Sequence, residues 1–429
     1  MNFAASKGYL YSLGNEVEAM KLGLENIRTL LAELGDPQKE YLKVQVAGTN
    51  GKGSVCAFLD SICGQADIRR GLYTSPHLIS ITERIKIDGA DISEGDFARL
   101  ATRVRETSEA LLSDGRLAYR PTFFEQVTAI ALLAFADAKV ELAILETGLG
   151  GRLDATTAAN AEIAAITRID LDHQEYLGDT IEEIAAEKAA IIGPDSKVVL
   201  LHQAKNVERV LLGRCREVGI EPVWASPDIK IKRDPAVAPM LFGTITTEND
   251  VYANFDFWNM LGEHQFQNAS IAIAIAELLK EESFQIGNDE ICIGLETTIH
   301  PGRLEYIGNF LLDGAHNVAG AKALAAYLDE FEEEPFTMIF GAMRGKDVAE
   351  IAKILWPRAK RLILTRPSNS RAMTAEELSE FVPEGFDAEK IVTTNSVEDA
   401  LAASGSTELI LVTGSLYLVG EVRRIALSR

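Results

Sequence analysis

The chain has 429 residues, and its 64 acidic residues outnumber the 42 basic ones, which gives a formal net charge of -22 at pH 7. The length is about twice that of a usual domain, so we expect two domains. A surface this negative argues against nucleic acid and anionic membranes as partners, and a phosphate-bearing ligand would need a local cationic or metal site.

The location of the protein is predicted from three features. The N-terminal segment lacks the regions of a signal peptide, and the longest apolar run, 127–136, is too short to cross a bilayer. The four cysteines include no CxxC pair, which favours reduced thiols. The sequence therefore predicts a soluble, cytoplasmic protein without membrane contacts.

From about residue 40, short β-rich segments alternate with amphipathic helices, which is typical of a mostly parallel sheet. Predicted strands lie at 42–47, 141–145, 161–167 and 197–201, and predicted helices at 54–63 and 125–138. Residues 225–260 are rich in polar and β-branched residues and favour hairpins. This half predicts one α/β domain over residues 1–290.

A second alternating set follows residue 300, and it predicts a doubly wound domain of its own. Its strands are predicted at 309–313, 336–341, 361–365 and 408–414. We therefore expect an α/β protein whose second, smaller and Rossmann-like domain covers residues 298–429.

The clearest local motif lies between a predicted strand and a predicted helix. It reads Gly48, Thr49, Asn50, Gly51, Lys52, Gly53 and Ser54. Glycines let the backbone wrap an anion, amides at a helix N-terminus donate to it, and Lys52 adds charge. Gly53 separates Lys52 from Ser54, which departs from the usual GxxxxGK[ST] form. The context predicts a phosphate-binding loop, and the alternative is a turn that merely ends the strand.

Further polar residues follow predicted strands. Glu146 stands where the magnesium of a nucleotide needs a hard oxygen ligand, although such an acid can also simply end a strand. Residues 147–154 form a glycine-rich loop that ends in Arg152 and Asp154, with more charge than a connector needs. His173 could ligate a metal or contact phosphate, and its alternative is a structural hydrogen bond.

Lys188 is the most informative single residue. It lies in the apolar stripe of a predicted helix that opens with a capping box from Thr180 to Glu183. Burial disfavours the ammonium form, so the amine should be nucleophilic and could react with carbon dioxide to form a carbamate, an anionic metal ligand. The alternative is a lysine that buries its stem and extends its charge to water.

The second half carries a smaller set of candidates. Arg303 offers a planar donor for a phosphate, and Asp313 with His316 could orient it. The alternative is an arginine with a structural role near the domain junction.

Read in order, these segments resemble the dihydrofolate synthase/folylpolyglutamate synthase branch of the Mur-type ATP-dependent ligases. The resemblance runs from about residue 20 to the end of the chain. It is carried by AGTNGKGSV, TSPHLISITERI, FFEQVTAIALLAF, LETGLGGRLDAT, DHQEYLGDTIEEIAAEKAAI, HQFQNA, HPGRLE, DGAHN and TGSLYLVGE.

The resemblance implies a role for each matching position. For ATP it implies residues 48–54 with Lys52, Asn268, Arg303 and Asp313. For two magnesium ions it implies Ser54, Ser75, Glu146, His173 and a carbamylated Lys188. For the substrates it implies Phe124, Arg152 and Asp154 on the pterin side, with His316 and Ser415 toward L-glutamate. Lys52, Lys188, Asp313 and His316 would take part in catalysis.

The function implied is ATP-dependent ligation, through an acyl phosphate, of L-glutamate to dihydropteroate and then of further glutamates to reduced folates. The GLGGRLDA segment favours dihydropteroate as one substrate, whereas Thr157, His300 and Val318 depart from the family pattern and leave substrate preference open. We expect a monomer.

Three alternatives remain at this point. A peptidoglycan-precursor ligase would carry an N-terminal nucleotide-sugar domain, but few residues precede the loop at Gly48. A monofunctional folylpolyglutamate synthase would not use dihydropteroate. A regulatory protein without catalysis would bind ATP only.

Overall fold

The computed structural model describes residues 1–14, 23–226, 228–332, 334–382, 386–405 and 408–428. They divide into two compact units. The first unit comprises Met1–Lys230, Gly243–Phe255 and Phe266–Thr298, and the second comprises Ile231–Phe242, Asp256–Gln265 and Ile299–Arg429. The sequence-based domain limits stay a prediction.

Helices and strands alternate through most of the chain. The helices are α1 (Phe3–Tyr11), α2 (Glu25–Glu33), α3 (Lys52–Gln65), α4 (Glu94–Ser113), α5 (Phe123–Ala138), α6 (Gln174–Leu177), α7 (Ile181–Ala189), α8 (Lys205–Val218), α9 (His264–Glu281), α10 (Asn288–Thr297), α11 (Val318–Phe331), α12 (Val348–Leu355), α13 (Ala375–Ser379), α14 (Val397–Ser404) and α15 (Leu416–Ala426). The strands are β1 (Leu42–Ala47), β2 (Arg70–Tyr73), β3 (Ile85–Ile87), β4 (Ala90–Asp91), β5 (Leu142–Glu146), β6 (Ile163–Ile166), β7 (Lys197–Leu200), β8 (Val223–Trp224), β9 (Asp228–Arg233), β10 (Leu241–Thr246), β11 (Val251–Asp256), β12 (Glu305–Ile307), β13 (Phe310–Leu312), β14 (Thr337–Phe340), β15 (Arg361–Leu364), β16 (Ile391–Thr393) and β17 (Ile410–Thr413).

The first unit is built on an eight-stranded sheet in the order β4-β3-β2-β5-β1-β6-β7-β8. All neighbours from β2 to β8 are parallel, and β3 and β4 continue the sheet in antiparallel fashion. Val46 pairs with Glu146, and Ala47 pairs with Ile166. The carboxyl ends of β1, β5 and β6 therefore meet at one edge, where a parallel sheet usually binds its ligand.

The central strands of this sheet are buried on both faces, and apart from Lys43 and Gln45 of β1 and Glu146 at the end of β5 their residues are apolar. One core cluster joins α5, through Val127, Ile130 and Phe135, to the sheet. Another joins α7 and α8 to the sheet, with Ile184 and Leu211 at its centre. The predicted mostly parallel α/β architecture is confirmed.

The second unit contains a six-stranded sheet in the order β12-β13-β17-β14-β15-β16. Only β12 is antiparallel to its neighbour, and the other pairs are parallel. The core includes Trp356, whose ring meets that of Phe340 edge-on at 5.3 Å between centroids. This is the doubly wound fold that the alternating pattern predicts.

Two boundaries differ from the sequence prediction at places that bear on the site. Helix α3 begins at Lys52, two residues before the predicted start at 54, because Gly51 turns the chain directly into the helix. Strand β5 includes Glu146 as its last residue, so the carboxylate belongs to the strand end itself.

The predicted hairpins of 225–260 form a three-stranded sheet in the order β11-β10-β9.

No helix within the described ranges combines the length and the hydrophobicity that crossing a membrane requires.

Candidate active site

The glycine-rich loop of residues 48–54 connects β1 to α3. Gly51 has a φ of 90°, a left-handed conformation that favours glycine, and it lies at the N-cap of α3. A Cβ at this position would collide with the side-chain amide of Asn268. Glycine thus lets Asn268 approach the loop, and the first amides of α3 are left without helical acceptors, which makes them anion donors.

The segment that follows β6 holds this loop in place. The Thr49 amide donates to the Arg168 carbonyl at 2.8 Å, and the Thr49 hydroxyl donates to the Asp170 carbonyl at 3.0 Å. The Thr167 hydroxyl donates to the Asn50 carbonyl at 2.7 Å. The shape of the loop therefore depends on a strand that lies far away in the sequence.

Two residues that support the loop, one after β6 and one after β7, were not predicted from the sequence. Asp170 accepts a bond from the Asn50 amide group at 3.3 Å. Gln203, after β7, donates to the Thr167 carbonyl at 3.1 Å and accepts from the Ile169 amide at 2.8 Å. Asp170 lies three residues before His173, just after the predicted strand 161–167, and this position offered a signal for it, but no local pattern marks Gln203.

Two lysines converge on one carbonyl of the loop. Lys188 Nζ donates to the Gly48 oxygen at 2.8 Å, and Lys52 Nζ lies 3.2 Å from the same oxygen. Lys188 is only 4% exposed, as the apolar stripe of its helix predicts. Burial, followed by the charge of Lys52, lowers the pKa of Lys188 from 10.5 to about 7, although Asp172 and other carboxylates oppose the shift. A large fraction of this amine is therefore neutral near pH 7.

Helix α7 presents Lys188 because its start is fixed. Thr180 and Glu183 form the predicted capping box, in which each side chain accepts a bond from the other residue's amide. Gly151 packs against the end of the same helix, since a Cβ there would lie 2.7 Å from the Glu187 carbonyl. The glycine-rich loop 147–154 and Lys188 are thus neighbours.

Candidate metal ligands lie at the carboxyl edge of the sheet. Glu146 is 6% exposed and accepts a bond from the Ser75 amide at 3.1 Å, which brings these two residues together. Ser54 is buried in the first turn of α3. His173 lies at the N-cap of α6 with a φ of 51°, and its amide donates to Asp172 at 2.9 Å.

Among the residues described, no three His, Cys, Asp or Glu side chains are grouped as ligands of one metal ion. A magnesium site here would therefore draw on hydroxyls or on a modified lysine as well. The predicted metal set stays a prediction.

Asp154 holds the glycine-rich loop together. One of its carboxylate oxygens accepts bonds from the amides of Gly148 and Leu149 at 2.8 and 2.9 Å. The other oxygen accepts from the amide and the hydroxyl of Thr156. Burial raises the pKa of Asp154, and these bonds oppose the rise. The structure thus gives Asp154 a supporting role in addition to the substrate contact that the sequence predicts.

The other two predicted residues on the pterin side flank this loop. The Phe124 ring packs against Gly148, where a Cβ would lie 2.5 Å from the ring. Arg152 is exposed, and its guanidinium donates to Glu187 at 2.8 Å.

The second unit brings its own candidates together after β13 and β17. Asp313 is buried and accepts bonds from the amides of Leu304 and Ala315 at 3.0 and 2.9 Å. Burial raises the pKa of Asp313, and the charge of Arg303 opposes the rise. His316 Nδ1 lies 2.8 Å from the Gly314 carbonyl, and because a carbonyl oxygen only accepts, this nitrogen carries the proton of the bond.

Ser415 lies in the adjacent loop of the same unit. Its hydroxyl accepts a bond from the Tyr417 amide at 3.1 Å and caps α15. The Gly414 amide donates to the Ala315 carbonyl at 3.1 Å, which ties the two loops together.

The predicted residues therefore form two groups, one in each unit. The first group contains residues 48–54, Ser75, Phe124, Glu146, Arg152, Asp154, His173, Lys188 and Asn268. The second contains Arg303, Asp313, His316 and Ser415.

Family models match both units. Residues 46–276 match the Mur ligase middle domain, and residues 302–416 match the glutamate ligase domain of Mur ligases. The dihydrofolate synthase/folylpolyglutamate synthase of Bacillus subtilis is 33% identical over 432 residues, which cover 94% of this chain and 95% of the relative. The chain belongs to this family of Mur ligases.

Other relatives agree with that placement. A probable bifunctional folylpolyglutamate synthase/dihydropteroate synthase of Haloferax volcanii is 35% identical over 413 residues, covering 94% of this chain and 48% of the relative. The chain thus spans about half the length of this relative and of a second one from Halobacterium salinarum.

Solved structures share the whole fold. Folylpolyglutamate synthase of Mycobacterium tuberculosis complexed with ADP superimposes with a TM-score of 0.90 at 30% identity, and 99% of each chain is covered. A complex described as FPGS-AMPPCP-folate gives a TM-score of 0.85 at 28% identity, with 100% of each chain covered.

Proposed function

We propose that the chain is an ATP-dependent amide ligase. It would form dihydrofolate from 7,8-dihydropteroate and L-glutamate and add further glutamates to reduced folates. The observation that carries the proposal is the convergence of Lys52 and the buried Lys188 on the Gly48 carbonyl of a phosphate-binding loop. Relatives named for both activities and a related complex with folate support the choice of substrates.

The chemistry begins with a carboxylate that an amine cannot attack, because oxide is too poor a leaving group. The γ-phosphoryl group of ATP passes to the acceptor carboxylate and leaves ADP and an acyl phosphate. The amine of L-glutamate then adds to the acyl carbon, the C–O bond to phosphate breaks with its electron pair leaving on phosphate, and the amine gives up a proton as the amide forms. Negative charge builds on phosphoryl oxygens in both steps, so positioned cations and amides supply the stabilisation.

The proposed ATP contacts follow from the loop geometry. The amides at the start of α3 and the amine of Lys52 would hold the β- and γ-phosphates, with Asn268 beside Gly51. From the second unit, Arg303 and Asp313 would contact ATP. His316 would face both the nucleotide and the incoming glutamate, and Ser415 would bind glutamate.

Magnesium fits the donors at the edge of the first sheet. The hard oxygen of Glu146 lies beside Ser75, and the remaining proposed ligands are Ser54, His173 and a carbamylated Lys188. When bound, two magnesium ions would neutralise charge on the phosphoryl oxygens. Carbamate formation fits a buried amine with a pKa of about 7, because the neutral amine adds to carbon dioxide and releases one proton.

The decisive experiment measures ADP release and product mass with ATP, magnesium and L-glutamate, comparing 7,8-dihydropteroate with tetrahydrofolate as acceptor. Glutamylated products from both acceptors would support the bifunctional ligase. A product from tetrahydrofolate alone would reduce the assignment to folylpolyglutamate synthesis and remove the proposed pterin contact of Asp154. ATP binding without either product would leave a regulatory nucleotide-binding protein.

The carbamate has a separate test. Lys188→Ala should abolish most turnover, and the wild-type protein should lose activity in buffers stripped of carbon dioxide. Lys205→Ala is the matched control, because Lys205 is an exposed lysine of the same unit. A Lys188→Ala protein that keeps its turnover at low bicarbonate and high magnesium would end the carbamate proposal.

A further inference from the structure

Two loops at the carboxyl edge of the second unit's sheet concentrate positive charge. They follow the parallel strands β14 and β15 and cover residues 341–346 and 365–373. These residues include Arg344, Lys346, Arg366 and Arg371 and contain no acid, in a chain where acids outnumber bases by 64 to 42. Such a local reversal of charge needs its own explanation.

Backbone bonds join the two loops into one surface. The Arg344 amide donates to the Arg371 carbonyl at 2.9 Å, and the Met373 amide donates to the Ala342 carbonyl at 2.9 Å. The guanidinium of Arg344 donates to the Ala372 carbonyl at 3.0 Å and to both oxygens of Glu377 at 2.7 Å. Arg344 thus forms an exposed ion pair with Glu377.

The other two arginines are not paired in this way, although the charge of Arg366 helps, after that of Arg344, to lower the pKa of Glu377. Arg366 is exposed and Arg371 is half-buried, and neither forms an ion pair with any residue in the described ranges. The Ser368 amide and hydroxyl bond to Glu421 of α15, the helix that Ser415 caps. Since β13, β17, β14 and β15 are parallel, the loops carrying these arginines lie at the same edge as Asp313 and Ser415.

We propose that Arg366 and Arg371, supported by Arg344, bind the α-carboxylates in the glutamate tail of a folate that already carries several glutamates. Every γ-linked glutamyl unit adds one free carboxylate, and guanidinium groups bind carboxylates with two parallel hydrogen bonds. A protein of net charge -22 would otherwise repel a longer tail more strongly. This inference rests on the proposed ligase function and adds a preference for tail length.

The test compares tetrahydrofolate monoglutamate with tetrahydrofolate triglutamate as acceptor, with MgATP and L-glutamate saturating. In the double variant Arg366→Gln/Arg371→Gln, kcat/KM for the triglutamate should fall about tenfold more than kcat/KM for the monoglutamate, as expected for two charge-assisted contacts that solvent reaches. The KM for L-glutamate should stay as in the wild type. The double variant Arg209→Gln/Arg216→Gln is the control, because it removes the same two charges from exposed positions of α8 in the first unit.

A second variant tests the same surface in the opposite direction. Glu377→Gln removes the ion pair of Arg344. The glutamine side chain can still accept the hydrogen bond from the N-cap amide in the capping box of α13. This variant should increase the preference for the triglutamate. With the unmodified protein, that preference should also fall as sodium chloride rises from 0.05 to about 0.5 M, because salt screens exposed charges.

The outcomes separate this inference from the proposed function. Equal losses for both acceptors, a raised KM for L-glutamate alone, or a wild-type preference that is insensitive to salt would each overturn the tail-binding surface while ligase activity stands. A wild-type protein that ligates neither acceptor would instead overturn the proposed function.

Discussion

At the scale of single residues, a lysine in an apolar helical stripe can either extend its charge to water or bury the amine as well. Lys188 takes the second course, with 4% of its surface exposed and its amine bonded to the Gly48 carbonyl, 140 residues away along the chain. The helical periodicity indicated the burial. The acceptor could not be found from the sequence, because it depends on how the strands are ordered in the sheet.

The buried amine should make stability depend on pH in a defined way. The folded-state pKa of about 7 lies below the unfolded value of 10.5, so folding releases a proton between these values. The burial penalty of Lys188 is then largest below pH 7 and disappears as the pH rises toward 10.5, by about 1.4 kcal/mol per pH unit. Lys188→Met should therefore be more stable than the wild type near pH 7, and this advantage should shrink at higher pH.

Urea unfolding between pH 7 and 9.5, in buffers free of metal and carbon dioxide, measures that difference. Lys205→Met is the control, because an exposed lysine should give a difference that does not change with pH. A constant difference for Lys188→Met as well would contradict the lowered pKa.

At the scale of elements, the loop between β5 and β6 shows how one carboxylate can organise a glycine-rich segment. Asp154 accepts hydrogen bonds from Gly148, Leu149 and Thr156, so both of its carboxylate oxygens are bonded to donors of the loop itself. The sequence predicted a functional loop from its glycines and charges. It could not predict this closure, because the bonding partners of a carboxylate depend on the backbone path.

Asp154→Asn tests the supporting role. The amide group of asparagine would place a donor where at least one backbone donor now finds an acceptor, so the free energy of unfolding should fall by about 2 kcal/mol. Arg152→Gln, which removes an exposed ion pair of the same loop, should cost less than about 1 kcal/mol. Unchanged stability of Asp154→Asn together with a raised KM for dihydropteroate would show that substrate contact is its main role.

Much of the secondary structure could be predicted, and the limits of that prediction have physical causes. Strand β1 matches its prediction at both ends, since a short segment with valine and leucine that ends at a glycine-rich loop favours a strand. Helix α3 starts earlier than predicted because Gly51 permits the turn, a property that hydrophobic periodicity does not reveal. Gln203 was not predicted because its hydrogen-bond partners, Thr167 and Ile169, lie in the loop after β6, whereas Gln203 itself follows β7.

At the scale of the whole molecule, the second unit includes two segments that precede its main body. The alternation of strands and helices resumes only after residue 300, and this pattern gives no sign that 256–265 belongs with the later residues. The structure places Leu261 of that segment in the core of the second unit, 7% exposed, in one cluster with Leu304, Ala315 and Leu324. A chain segment can join a core without any periodic pattern of its own, because a single buried side chain is enough.

Leu261→Ala should therefore destabilise the second unit. Removing a buried leucine side chain costs about 2–4 kcal/mol, so amide hydrogen exchange should accelerate in β13, β14 and β17. Leu427→Ala is the matched control, since Leu427 is 58% exposed and its loss should leave exchange unchanged. Faster exchange in β1 and β5, with β13, β14 and β17 still protected, would mean that the segment stabilises the first unit and that its assignment to the second is wrong.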